Sequence, residues 1–434
     1  MHDWKTDLLW NAIGYGVVAG AALIALVGLF FFVPALRGRW LPILRLRPST
    51  WTGHDVFLAF CVINGFPVLI VMALLHVGFF VPLIGPTPDL EPNNETSTLY
   101  LLRCSVISSP LVLAVILGIL FTMMFARAQS RPHHYGLTWS RWPVNLALGI
   151  AAFVLVRPIV IGIYALATLL YGTDENPFEA LSNQQLPSWE WALLAFQVTV
   201  QAPFMEEIFF RGIFQDWLRR AALIGHIVVI VTAVLWVGYD LVEFDMEQKA
   251  FGLKEAKVWP VLFTVVLAVG YGFAMFRLAR RYRLKEDEIY NWRPEPSPPS
   301  LDTALAATEE QAREARRQMF ERDETRARDW AEANARLAIF GSAYLFAVIH
   351  SMWPAPVALF PMGLVLGWLS RRTQSLVAPI TFHLLFNLAT FIALYGMVLS
   401  GSDKKGNEQT TAPRPSVVGS MTSSVPGSQL PLRK

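Results

Sequence analysis

The chain is poor in charge and nearly free of cysteine. Only 16% of its 434 residues are Asp, Glu, Lys or Arg, whereas a soluble globular chain carries about 25%. That deficit excludes an ordinary soluble enzyme. Its two cysteines, Cys61 and Cys104, fall in or beside apolar runs without C-x-x-C spacing, which excludes a disulfide framework or a cysteine-rich zinc site. Neither sign of charge dominates: 36 Lys and Arg against 33 Asp and Glu leave a formal net charge of +3. Nothing in that balance points to nucleic acid. No histidine precedes a glutamate, so the H-E-x-x-H metalloprotease motif is absent. Gly341-Ser342 lacks a G-x-S arrangement, and Tyr239-Asp240 has no G-x-G-D partner.

Hydrophobic residues are abundant, at 54%, and several runs exceed the roughly 20 residues that cross a bilayer core. The expected fold class is an all-α, polytopic, multi-pass membrane bundle of about 8–10 helices. The candidate spans are Trp10–Leu36, Val56–Ile84, Leu101–Phe125, Pro143–Tyr171, Trp191–Ile208, Ala221–Val242, Val258–Leu278, Leu337–Ser351, Val357–Leu369 and Leu376–Leu399. The first, followed by basic residues and not by a small-residue cleavage site, reads as a retained span. Loops alternate in charge. Arg37, Arg39, Arg45 and Arg47 follow the first span, while the second loop has Asp89, Glu91 and Glu95 without a basic residue. Arg127, Arg131 and Arg141 lie in the third loop, and Asp174, Glu175 and Glu179 in the fourth. The positive-inside rule then puts the basic loops in the cytoplasm and both termini outside.

Residues 1–180 thus read as N-terminal membrane helices, 188–220 and 337–399 as two parts of one core, and 221–280 as an inserted helix pair. Between them, 281–336 has a proline-rich breaker at 293–300 and then Glu309/Arg313, Glu324/Arg328 and Glu332/Arg336 at i,i+4. This predicts a solvated cytoplasmic helix or hairpin, with docking of a protein partner as the alternative. The Ser, Thr, Pro and Gly-rich tail 401–434 is expected to be disordered.

Ionisable groups at membrane depth are costly, so they are where chemistry is sought. Glu207 and Arg211 are four residues apart and share a helical face, so they can pair. Glu206 lies about 100° around the helix, leaving its carboxylate free. His350 ends the eighth span. His383 and Asn387, also four apart, point the same way from the tenth. A carboxylate, two histidines and an amide in apolar helices can activate water and hold an oxyanion. Arg157, in the middle of the fourth span, is expected to pair with a carboxylate inside the bundle; an anionic headgroup or a substrate terminus is the alternative. Gly16-x-x-x-Gly20 and Gly363-x-x-x-Gly367 read as close-packing faces.

Glu206-Glu207-x-x-x-Arg211, then Phe346-x-x-x-His350, then His383-x-x-x-Asn387, resembles the CPBP intramembrane protease family, which comprises CAAX prenyl proteases and the Abi group. The resemblance covers about 191–220 and 337–394. It implies an endopeptidase acting on a membrane-associated peptide, prenylated or not. Glu206 would activate water with help from His350, His383 and Asn387 would stabilise the oxyanion, and Glu207 and Arg211 would shape the site. It implies no obligatory cofactor; a zinc ion held by Glu206, His350 and His383 is the alternative. A non-catalytic scaffold or immunity factor of the same fold is the reading from another class.

Overall fold

The computed structural model describes residues 50–88, 95–172, 186–221, 223–245, 250–253, 258–281, 331–350 and 352–410. The chain is a bundle of membrane helices. In order these are α1 (Gly53–His76), a short α2 (Val81–Ile84), α3 (Glu95–Ala128) and α4 (Trp142–Tyr171). A broken helix, α5 (188–220), comes next, then α6 (Leu223–Leu241), α7 (Val258–Arg281), α8 (331–348), α9 (Ala355–Thr373) and α10 (Val377–Thr410). The all-α expectation holds with one small addition: strands β1 (Val242–Asp245) and β2 (Ala250–Leu253) pair antiparallel, Val242 opposite Leu253. Two compact units divide at Phe391/Ile392; the second holds the remainder of α10, to Thr410. That helix carries the chain past Gly401, where disorder was expected; 411–434 lie outside the described residues.

Five helices are long and apolar enough to cross a bilayer: α1, α3, α4, α7 and the first part of α10. The apolar stretch of α6, Ile224–Tyr239, is shorter. The expected first span and its Gly16/Gly20 face lie outside the described residues, as do most of 281–336 and the pairs Glu309/Arg313 and Glu324/Arg328. Large apolar side chains face outward, as lipid allows: Leu69, Val154, Leu170, Val266 and Phe276 are all exposed.

The fifth span departs most from expectation. It does not end at Ile208 but runs on through 214 to Arg220, so the Glu206-Glu207 pair sits inside a long helix and not at its end. This helix is the axis of the core, and every residue of Ile208–Phe214 is buried. Trp51 at the entry to α1 docks on it, and α8 and α9 pack on its other side. Gly363 and Gly367 of α9 serve as the close-packing face expected of them: a Cβ at Gly363 would lie 3.0 Å from Ala343 Cα, and one at Gly367 2.6 Å from Gln215 Oε1. The α6–α7 pair joins the core through a buried polar joint, in which the His226 ring meets Tyr271 Oη at 2.5 Å and Asn334 Oδ1 at 3.0 Å.

Candidate active site

Within α5 the α-helical ladder is interrupted twice, by π-helical turns at Gln197–Gln201 and Ile208–Phe214. Between them lies a short α segment, Ala202–Glu207. Pro203 explains the first break: lacking an N–H, it cannot bond the carbonyl four residues back, and a wide turn takes up the mismatch. Wide turns leave carbonyls to be satisfied from elsewhere, and here three other segments supply the donors. Asn387 Nδ2 donates to Val198 O at 2.9 Å, Ser342 Oγ to Phe210 O at 3.0 Å, and Trp51 Nε1 to Ile213 O at 3.0 Å. At Gly212 a Cβ would lie 2.8 Å from Tyr135 O, so only glycine admits that backbone.

The segment between the π turns presents the two glutamates. Glu207, fully buried, lies 3.2 Å from Arg211 Nη1, forming the expected i,i+4 ion pair. Its Oε1 also accepts from His383 Nδ1 at 2.9 Å. The Arg211 guanidinium lies over the Phe346 ring, 4.3 Å from its centroid, and none of its nitrogens makes a hydrogen bond among the described residues. A cation–π contact therefore carries part of its charge.

Glu206 points the other way and is a quarter exposed. Its Oε1 lies 3.9 Å from His350 Nε2 and its Oε2 3.8 Å from His383 Nε2. Both gaps exceed a hydrogen bond and suit a bridging water. The tautomers follow from the far side of each ring. His350 Nδ1 faces Phe346 O at 2.7 Å; a carbonyl only accepts, so Nδ1 carries the hydrogen and Nε2 offers a lone pair toward Glu206. His383 Nδ1–H is likewise committed to Glu207, as an orienting carboxylate holds a catalytic imidazole.

The structure thus brings Glu206, Glu207, Arg211, His350 and His383 into one cluster. Asn387 is a turn further along α10, and its amide donates to the first π turn. Arg157 finds no carboxylate among the described residues; its guanidinium stacks on Phe153 at 5.7 Å. No spacing or motif marks Ser342 or Trp51 as supports. Phe346 stood only as a motif letter, although its four-residue spacing from His350 marks a shared helical face. A cavity of about 260 Å³ opens beside Glu206 and His350. Its far wall is apolar: Ile63 and Pro67 of α1, and Val112 and Ile116 of α3. Among the described residues no group of three or more His, Cys, Asp or Glu is arranged to hold a metal ion.

Residues 188–283 and 318–389 match the family described as type II CAAX prenyl endopeptidase, Rce1-like. No curated protein and no solved structure matches the chain. Every member of the cluster lies inside the matched stretches. So do α6 and α7, expected to be an insertion; what stays unmatched between the stretches is 284–317.

Proposed function

We propose that the chain, whose residues 188–283 and 318–389 match the Rce1-like CAAX endopeptidase family, is an intramembrane endopeptidase in which Glu206 activates water between two histidines. The observation that carries this reading is the pair of gaps, 3.9 and 3.8 Å, by which His350 and His383 face the two oxygens of one carboxylate. A water held there loses a proton to Glu206 while its oxygen attacks the scissile carbonyl carbon. The tetrahedral oxyanion is stabilised by the His383 side chain, which Glu207 holds in place through Nδ1. The second Nδ2 hydrogen of Asn387 is a further donor. Collapse breaks the C–N bond, and Glu206 passes its proton to the leaving nitrogen, giving a carboxylic acid and an amine. His350 orients the water through its Nε2 lone pair. The apolar cavity suits the lipid-like or apolar part of a membrane-associated substrate, a prenylated CAAX-type peptide fitting both the cavity and the family.

The test is the cleavage rate of a fluorogenic prenylated peptide by purified protein. Glu206→Gln keeps the size but cannot take a proton, and should slow cleavage by about 10²–10⁴-fold. His350→Ala should have a similar effect, and the double variant should be scarcely slower than either alone, because groups that act as a unit are not additive. Full activity in Glu206→Gln would sink this mechanism and favour the scaffold reading. Loss of wild-type activity on chelation, with recovery on adding zinc, would replace it by a metal mechanism.

A further inference from the structure

Three side-chain amides stand in the wall of the cavity beside Glu206 and His350: Asn64 of α1, and Gln197 and Gln201 of α5. Two of them are already engaged. Asn64 Nδ2 donates to Phe60 O of its own helix at 2.9 Å, and Gln197 Nε2 donates to Ser105 Oγ of α3 at 3.1 Å. Gln201 differs: its Oε1 is buried and accepts from no donor among the described residues. The proposed chemistry gives it no task either, since the water lies between Glu206 and the two histidines.

The packing of α3 on α5 accounts for the difference. Polar side chains of the two helices meet at Arg103 and Glu190, 2.8 Å apart, and again at Ser105 and Gln197. Gln201 is the last residue of the π turn that Gln197 opens. At this level the α3 residues in the cavity wall are Val112, Leu113 and Ile116, none of which has a polar side chain. The amide therefore stands in an apolar wall without a neighbour to bond. A buried polar atom in that position is rare in folded proteins and calls for a reason.

The cavity says what would bond it. A substrate chain opened for attack brings the N–H and C=O groups of its peptide units into an apolar space, where each is costly if left unpaired. A primary amide has an acceptor oxygen and two N–H donors, which is the complement of a peptide unit. The last torsion of a glutamine is soft, so either edge of the amide can turn to the cavity. Glu206 is five residues on from Gln201, about 7.5 Å along the axis at about 1.5 Å per residue. An extended chain covers that rise in about two residues, at about 3.3 Å each.

Resting on the endopeptidase reading, we propose that Gln201 holds the substrate by its main chain, Oε1 accepting from the N–H of a peptide unit about two residues from the scissile bond. The probes are synthetic farnesylated CAAX peptides that differ by one backbone N-methyl group, moved through three residues on either side of the scissile bond. Binding is measured to full-length Glu206→Gln protein in lipid nanodiscs, so the readout does not depend on cleavage. An N-methyl group about two residues from the scissile bond, on one side only, should weaken binding about 5- to 100-fold more than its neighbours do. That is the range for an acceptor left buried and unpaired. Adding Gln201→Met should weaken binding of the unmethylated peptide by a similar factor and remove the extra penalty at that position, with folding checked by thermal melt. A series with no such position, an extra penalty that survives Gln201→Met, or no binding of the unmethylated peptide would overturn the proposal. Any of these beside normal cleavage by wild-type protein leaves the protease reading intact. The expected pattern without cleavage by wild-type protein would sink that reading and keep the backbone site.

Discussion

Glu206 and Glu207 are neighbours in sequence with opposite surroundings. Glu207 has no exposed surface and is held by both Arg211 and His383; Glu206 is a quarter exposed and faces its histidines across gaps. Neutralising them should therefore have different consequences. Glu207→Gln strands the buried Arg211 charge, a change that costs about 3–5 kcal/mol, and should visibly lower the melting temperature. Glu206→Gln breaks no direct hydrogen bond, so its melt should stay close to wild type while activity falls. If the two variants melt alike, Glu207 is not the structural partner described here. The Glu207–Arg211 pair could be read from sequence because i,i+4 spacing on a helix is a geometric rule. The meeting of Glu206 with His350 could not, since it depends on how α5 and α8 pack. Nor could the span ends help, because the charged side chains of the site lower the local hydropathy and make α5 look shorter than it is.

At the scale of the element, α5 is a helix whose irregularities are held from outside. Its two π turns expose carbonyls at Val198, Phe210 and Ile213, and α10, α8 and the entry to α1 each supply one donor. Ser342→Ala should leave the Phe210 carbonyl unsatisfied and destabilise the protein by about 1–3 kcal/mol, measured by denaturation in detergent. Asn387→Ala should lower both stability and turnover, because the same amide closes the first π turn; a loss of turnover at unchanged stability would make it an oxyanion donor only. Gly212→Ala pushes a methyl against Tyr135 O and should cost about 1–3 kcal/mol. Hydrophobic periodicity located the other described helices well. It carries no mark of a π turn, because the added residue shifts the buried face by less than the width of the apolar stripe, and Ile208–Phe214 is buried all round.

For the whole molecule, the hydrogen bond between Gly136 and Leu376 puts the loops before α4 and before α10 at one end. With Cys61 and Cys104 replaced by alanine, single cysteines at Arg131 and Gln374 should react with an impermeant maleimide only after permeabilisation, and one at Gly172 in intact cells. Labelling of Arg131 and Gln374 from opposite sides would refute this arrangement. The 284–317 interval holds none of the site residues, so replacing it by a flexible linker should leave cleavage intact; loss of cleavage with normal insertion and melting would give it a catalytic part instead of the partner-docking one suggested by its charge. The site also has an order of arrival. Glu206 belongs to α5, whereas His383 is made about 180 positions later, roughly 10–35 s at the usual pace of translation. Until α10 enters the membrane, the second imidazole is missing, and on the proposed mechanism the chain cannot hydrolyse anything, its own unfinished helices included. On the proposed mechanism, a ribosome that stalls before that point leaves an inert fragment, so no active protease is released into a crowded translocation site before α10 is made.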